Sequence, residues 1–413
     1  MDGCLCSFVD HAFGGTLVTV GTGIAATLMG RVEGDLGRLR HAVALAGAVG
    51  VQGGHPLKVL KVLVLTKYGS LGASSRMRFL QYLPWLQQAG AEVTVRPLLS
   101  DELLVARYQR GAYGLWPIFR AYADRLLALL ECRHFDVVWI EKETLPWFPA
   151  WLERWLLRGV PYVLDFDDAI FHNYDLHRFA WVRRVYGRRI DRLMEGARLV
   201  IAGNRYLADR ATAAGARWVE VVPTVVDLAR YPAKQTYSVA TKPRIVWIGS
   251  PSTVQYLLEL AEPLGVLAKR QPFTLRVIGG GAITMPGVDV ESLPWSADTE
   301  AAVIAECDVG IMPLRDTRWE QGKCAYKLIQ YMACGLPTVA SPIGANRDVV
   351  IAGETGFFAD TAYAWVEKME LLLSDAALRQ RLGQAGRARV EAEYCLQQTA
   401  PRLVHLLTET GVQ

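Results

Sequence analysis

Apolar and polar positions along this chain alternate in blocks rather than residue by residue. VLKVLVLT (59–66) is a nearly unbroken Val/Leu run. It is followed by a loop with Gly69, Gly72, Ser74 and Ser75, a helical stretch from about 76 to 88 closed by Gly90, and the run AEVTVRPLL (91–99). Such runs suit strands buried on both faces, which belong to parallel sheets covered by helices. The alternation continues with expected strands at 135–140, 161–166, 199–203 and 219–223, and helices at 149–158, 178–195 and 204–214. PAKQTYSVATKP (232–243) is polar, holds two prolines and has no apolar period, so 233–243 reads as a linker. The pattern then restarts, with strands at 244–249, 274–280, 309–314 and 337–341, helices at 253–269, 298–306 and 323–334, and a helical tail over 375–410. Two such series predict an α/β protein of two facing Rossmann-like, doubly wound domains, 58–232 and 244–390. A tail helix at about 391–410 is expected to pack back on the first domain.

Residues 1–57 stand apart, with 12 of the 37 glycines but only three basic and four acidic residues. They read as a poorly ordered extension without the charged start of a signal peptide. Gly21-Thr-Gly23-Ile-Ala-Ala26 follows a strand-like run, but a dinucleotide site needs a full βαβ unit, and glycines break the helix that would follow. With 51% apolar and 21% charged residues, the 413-residue chain is not disordered and is long enough for two or three domains. Its seven cysteines are scattered and form no C-x-x-C, which argues against a disulfide framework or zinc ribbon and for a reducing, cytoplasmic compartment. No apolar run is long enough to span a membrane. The net charge of +4 divides unevenly: residues 58–232 carry 25 basic and 18 acidic groups, residues 233–413 carry 17 and 19. No nucleic-acid-binding module is recognisable, so nucleic acid is not expected as a partner.

The second half carries the sharper chemical signal. VIGGG (277–281) puts Gly279, Gly280 and Gly281 directly after a strand, where bare backbone can approach a ligand and its N–H groups can hold phosphate oxygens. In GKCAYKLIQYMACGLPTVASPIGANRDVV (322–350), Lys323 and Lys327 are four residues apart, so a helix over 323–334 would carry both ammonium groups on one face of its first two turns, an anion site. Tyr326 and Gln330 flank that face. The SPIGAN loop, with Gly344, Ala345 and Asn346, lies at the carboxyl end of the next strand, where ligands of open α/β sheets bind.

YMACGLPTVASPIG with the following GETGFF (353–358) resembles the nucleotide-sugar segment of glycosyltransferase family 4. Similarity extends to 73–95, 221–232, 306–314 and 378–395. The resemblance implies the GT-B fold, a nucleotide-sugar donor on the second domain and an acceptor on the first. It also implies transfer with retention of anomeric configuration and neither metal nor cofactor, the nucleotide sugar being a substrate. Two departures stand out. The family's paired glutamates fall, by alignment on the ACG motif, at Gly322 and Gln330, with Glu320 displaced nearby. The Arg and Lys expected after the first donor-domain strand are replaced by Gly249-Ser250-Pro-Ser252-Thr253. Lys323 and Lys327 are then expected to compensate the diphosphate, with Gly249, Ser250, Thr253 and Gln330 completing the donor site.

In the first half, LDFDDAIFHNYD (164–175) places Asp165, Asp167 and Asp168 at the end of a strand. Family members often carry His-Asp here, and Asp167 takes the place of the His. Three readings stay open: Asp167 and Asp168 as catalytic carboxylates beside Lys327, with Asp165 on the acceptor; a metal site completed by His172, Asp175 and His177; or turn and cap chemistry. Arg76 and Glu143 are further acceptor-side candidates. A helix over 178–198 rich in arginine, with Trp147, Trp151 and Trp155 at four-residue spacing, suits either an anionic membrane surface or a solvated face over a core stripe. The expected activity is transfer of a sugar to a polysaccharide or lipid-linked glycan in envelope synthesis, by a cytoplasmic protein peripheral to the inner membrane face. The alternatives are a silent nucleotide-sugar-binding subunit or another GT-B enzyme such as an epimerase.

Overall fold

The computed structural model describes residues 59–110, 112–238 and 242–412. The glycine-rich extension and its G-x-G-x-x-A run lie outside the described residues. Two parallel six-stranded sheets form the frame. The first contains β1 (Lys61–Tyr68), β2 (Glu92–Leu99), β3 (Val137–Glu141), β4 (Tyr162–Phe166), β5 (Leu199–Ala202) and β6 (Val219–Val221), in the order β2-β1-β3-β4-β5-β6. The second contains β7 (Arg244–Ile248), β8 (Thr274–Ile278), β9 (Asp289–Leu293), β10 (Val309–Met312), β11 (Thr338–Ala340) and β12 (Gly356–Phe358), in the order β12-β11-β10-β7-β8-β9. Strand order reverses between β1 and β3 and between β7 and β10. At such switch points the outgoing loops separate and leave a crevice for ligands.

The central strands are buried throughout: Val62–Leu65, Val137–Ile140, Leu199–Ala202 and Val309–Ile311 lie in apolar clusters on both sheet faces. The chain's last long helix, Leu396–Val412, lays Leu396, Ala400, Leu403 and Leu407 against Val62, Trp139 and Val222 of the first domain.

Several helices differ from the expected spans. The 76–88 stretch divides into Ala73–Arg78, a 3-10 turn at Leu80–Tyr82 and Leu83–Gln88, with Pro84 opening the last. The 253–269 stretch divides into Val254–Leu258 and Ala261–Arg270. The arginine-rich 178–198 stretch is two helices, Ala180–Tyr186 and Arg189–Gly196, interrupted at Gly187, where a Cβ would sit 2.3 Å from the Arg183 carbonyl oxygen. A long helix at Leu115–Leu130 and the edge strands β9 and β12 were not anticipated. Among the described residues no helix is long and apolar enough to cross a membrane. The five described cysteines are all buried and free.

Candidate functional site

The carboxyl edges of the two sheets meet across one cleft. On the first-domain side, Lys142 follows β3 with φ 65, a left-handed conformation uncommon for a residue with a side chain. Its buried Nζ lies 2.7 Å from Asp167 Oδ1, 3.4 Å from Asp168 Oδ2 and 3.3 Å from Ser74 Oγ. Ser74 in turn donates to Asp167 Oδ2. Three segments therefore converge on one cluster: the helix after β1, the residue after β3 and the turn after β4. Burial alone would raise the Asp167 carboxyl, but Lys142 and Ser74 outweigh it and hold it below the usual carboxylate range. The same pairing overcomes burial at Lys142 and raises its ammonium. Asp168 is the most open member, its side chain 32% exposed.

On the second-domain side two glycine loops press together. Gly249 N–H donates to the Ile278 carbonyl at 2.9 Å, and a Cβ on Gly279 (φ 77) would come within 2.6 Å of the Gly249 carbonyl oxygen. A Cβ on Gly280 would lie 2.8 Å from Val277 and 3.0 Å from Trp247, and Gly281 takes φ 82. Lys327 Nζ stands 4.3 Å over the Trp247 ring, and Lys323 Nζ 5.9 Å from the Tyr256 ring. Both lysines are half-buried, and neither has a carboxylate partner among the described residues. Burial first, and the charge of Lys323 second, lower the Lys327 ammonium to about 7. A pair of crowded cations without an acid is relieved by an anion bound between them.

Direct contacts cross the cleft. Cys324 Sγ lies 3.1 Å from the Asp167 carbonyl oxygen. Asn204 Nδ2 donates to the carbonyls of Gln321 (3.2 Å) and Lys323 (3.0 Å). The Arg76 guanidinium rests 4.7 Å over the Trp295 ring, and its Nη1 donates to the Ser70 carbonyl at 2.9 Å. The acid cluster is thereby held against the segment bearing Lys323.

Several expected roles change. Lys323 and Lys327 do not share a helix face: the helix is Tyr326–Ala333, and Ala325 at φ 54 separates Lys323 from it, although the two charges still interact. Gln330 is buried and donates to the Tyr231 hydroxyl at 2.8 Å, so its amide is already engaged. Gly322 packs on Ala169, where a Cβ would lie 2.5 Å from the alanine Cβ and 2.7 Å from its backbone nitrogen, which leaves no room for the family's glutamate. Displaced Glu320 is buried and bonded by Tyr256 (2.5 Å) and Thr317.

Asp165 is buried and clasped by Arg78 through Nε at 2.8 Å and Nη2 at 2.7 Å, with burial driving its carboxyl up to about 6 against the pull of the arginine. It supports the sheet end and offers nothing to an acceptor. Glu143 likewise turns inward to Arg189 and the Tyr174 hydroxyl. Arg189, expected on a surface face, is buried between Glu143 and Glu153. Asn346 spends its amide on the Ser341 carbonyl (2.9 Å) beside buried Ala345. Gly344 takes φ 51 and donates to Gln321 Oε1 at 3.1 Å. Thr253 caps its own turn through the Ser250 carbonyl (2.9 Å), while Ser250 Oγ reaches Ser252 at 2.8 Å. His172 bonds Asp175 (2.7 Å) and Tyr206 (2.8 Å) rather than turning to the acid cluster.

Lys142, within the acceptor-side triplet Glu141-Lys142-Glu143, and Ser74, within the loop after the first strand, were noted from the sequence without a role of their own, and Asn204 and Trp247 were not singled out. A basic residue between two acids directly after a strand (Glu141-Lys142-Glu143) was the available signal for the first.

The geometry is that of the GT-B fold: two facing parallel α/β domains, with a glycine- and lysine-lined edge on the second and a carboxylate edge on the first. Solved structures of the same fold include HepE of Anabaena in complex with UDP and glucose (TM-score 0.63, 15% identity, covering 85% of this chain and 100% of that one). Sucrose-phosphate synthase from Thermosynechococcus elongatus gives TM-score 0.61 at 15% identity, over 85% and 98% of the two chains. Residues 62–224 match the model of the glycosyl transferase 4-like domain and residues 242–375 that of glycosyl transferases group 1. The chain thus joins a glycosyl transferase 4-like domain to a glycosyl transferases group 1 domain. Among characterised relatives, a D-inositol 3-phosphate glycosyltransferase of Pseudarthrobacter chlorophenolicus is 31% identical over 130 residues, 31% of this chain and 30% of that protein. The capsular polysaccharide glycosyltransferase CapM of Staphylococcus aureus is 35% identical over 71 residues, 17% and 19% of the respective chains. This chain thus spans less than a third of the length of either relative.

Proposed function

We propose that this chain is a metal-independent, retaining glycosyltransferase that moves a sugar from a nucleotide sugar to a lipid-linked or polysaccharide acceptor. The observation that carries the reading is a pair of lysines, Lys323 and Lys327, with no carboxylate partner among the described residues, on the segment that Cys324 and the Lys323 carbonyl join to the first domain beside the Asp167–Asp168–Lys142 cluster. The glycine edges at 249 and 279–281 let a nucleotide approach the backbone, and the lysines compensate the diphosphate as it leaves. Asp167 stays ionised through Lys142 and, with Asp168, faces the positive charge that develops on the transferring sugar. The chain acts on the cytoplasmic side, at an anionic membrane surface where such acceptors are made. CapM, a capsular polysaccharide enzyme, supports the envelope assignment, and HepE, with UDP bound, makes UDP the first nucleotide to try.

A thermal-shift screen against UDP, GDP, ADP and CMP tests the donor site. One nucleotide should raise Tm in proportion to the logarithm of its concentration above Kd, and stabilisation by none would sink the reading. The loss of both family glutamates, at Gly322 and Gln330, favours one rival, a silent nucleotide-sugar-binding subunit. Release of free nucleotide in the presence of a glycan acceptor separates the two.

A further inference from the structure

An acceptor held in a membrane has to reach the carboxylate edge of the first domain, and that edge carries an aromatic belt. Leu115, Trp116 and Phe119 open the helix Leu115–Leu130, Trp151 and Trp155 lie on Ala150–Leu156, and Trp181 lies on Ala180–Tyr186, all between 56% and 86% exposed. Leu115–Leu130 begins beside the carboxyl ends of β1 and β2, where Ile118 and Ala121 pack with Tyr68 and Leu99. The other two helices follow the ends of β3 and β4. All three starts therefore lie on the cleft rim.

Ring contacts run within the first of these groups and through the loop behind the rim, and among the described residues none reaches Trp151, Trp155 or Trp181. Trp116 stacks on Phe119 at 5.6 Å, Tyr122 meets Phe148 at 5.7 Å, Trp147 meets His177 at 5.8 Å and His177 meets Phe179 at 5.4 Å. That loop, 143–149, starts immediately after Lys142, whose ammonium holds Asp167. Trp147 within it takes φ 68, a conformation rare for a bulky residue and often found at functional sites.

Single exposed apolar residues need no explanation, but six large ones on three helices that start at one rim do. Its flank indicates what covers it. Residues 178–188 carry exposed Arg178, Arg183, Arg184 and Arg188 and no acidic residue. Interfacial tryptophan beside arginine suits the headgroup region of an anionic leaflet, where the ring sits at the acyl boundary and the guanidinium on phosphate. We infer that this belt is seated in the interface of an anionic bilayer, so that docking turns the Asp167–Asp168 edge toward the leaflet and the acceptor enters from the membrane. The inference rests on the proposed transfer to a lipid-linked acceptor and names the surface that presents it.

Flotation of the full chain with vesicles of phosphatidylcholine, alone or mixed with phosphatidylglycerol, tests it. The chain is expected to float with the mixed vesicles and to be partly released by salt. Trp116→Glu with Phe119→Glu and Trp151→Glu should lower the partition by about tenfold or more. Arg178→Glu with Arg184→Glu should remove the preference for anionic lipid. Both sets of substitutions lie on the surface, and unchanged melting curves and nucleotide shifts show that fold and donor site are intact. Flotation unaffected by the tryptophan changes, no flotation with either vesicle, or a native dimer that those changes dissociate would each overturn the inference. Vesicle binding that behaves as expected in a chain that no nucleotide stabilises would leave the docking surface standing and remove the transferase reading.

Discussion

Lys327 is the residue whose protonation the cleft governs most directly. Burial and Lys323 lower its ammonium to about 7, so near neutrality a substantial fraction is uncharged. A diphosphate beside it favours the charged form and raises its pKa. Nucleotide binding above pH 7 must therefore take up a proton, and affinity must fall as pH rises, by at most about tenfold per unit. Calorimetry in two buffers of different ionisation enthalpy reads the uptake directly. It should vanish in Lys327→Met, and buffer-independent heats in the native chain would refute the placement of the anion. Across the cleft, Asp167→Asn keeps the size and one hydrogen bond to Ser74 but removes the charge that Lys142 holds ionised. Transfer is expected to fall about 100-fold, with the nucleotide thermal shift unchanged. Equal activity would remove Asp167 from the chemistry.

At the scale of elements, the glycines set how closely segments approach. Gly322 lies against Ala169 with no room for a Cβ, so Gly322→Glu, which restores the family residue, should wedge the domains apart rather than restore a function. Overpacking of this kind costs about 1–3 kcal/mol, visible as a lower Tm and a larger radius of gyration in X-ray scattering. A variant as compact and stable as the native chain would show that the cleft already opens freely. What the sequence disclosed at this scale followed burial. Strands covered on both faces, such as β1, β3 and β10, stand out as Val/Leu/Ile runs, whereas edge strand β9 reads DVESL and is half exposed. The helix Leu115–Leu130 lacks a clean polar face because its first turns expose Leu115, Trp116 and Phe119, and the helical period is lost there. The glycine- and lysine-lined edge of the second domain stood out because its glycines and lysines sit close after strands and beside a helix start. The role of Lys142 did not, because its partner Asp167 lies 25 positions away and the parallel pairing of β3 with β4, Glu141 opposite Asp165, is what brings them together.

At the scale of the whole molecule, closure depends on a few polar contacts, and Asn204 joins two functions in one amide. Its Oδ1 accepts from Leu207 N–H at 2.9 Å and caps the helix Arg205–Ala213, which leaves Nδ2 as the donor to the Gln321 and Lys323 carbonyls of the other domain. The two functions separate by substitution. Asn204→Ala loses both, and the lost cap alone costs about 1 kcal/mol. Asn204→Asp keeps the cap but sets a carboxylate against two carbonyl oxygens, which repel it. The aspartate variant should therefore melt close to the native chain, scatter as a more open particle and show a raised KM for the nucleotide sugar, because Lys323 is no longer drawn to the acid cluster. The alanine variant should show the same opening with a lower Tm. If the aspartate variant matched the native chain in scattering and in KM, the cross-cleft amide would be incidental, and closure would rest instead on the Arg76–Trp295 stack and the packing of Gly322 on Ala169.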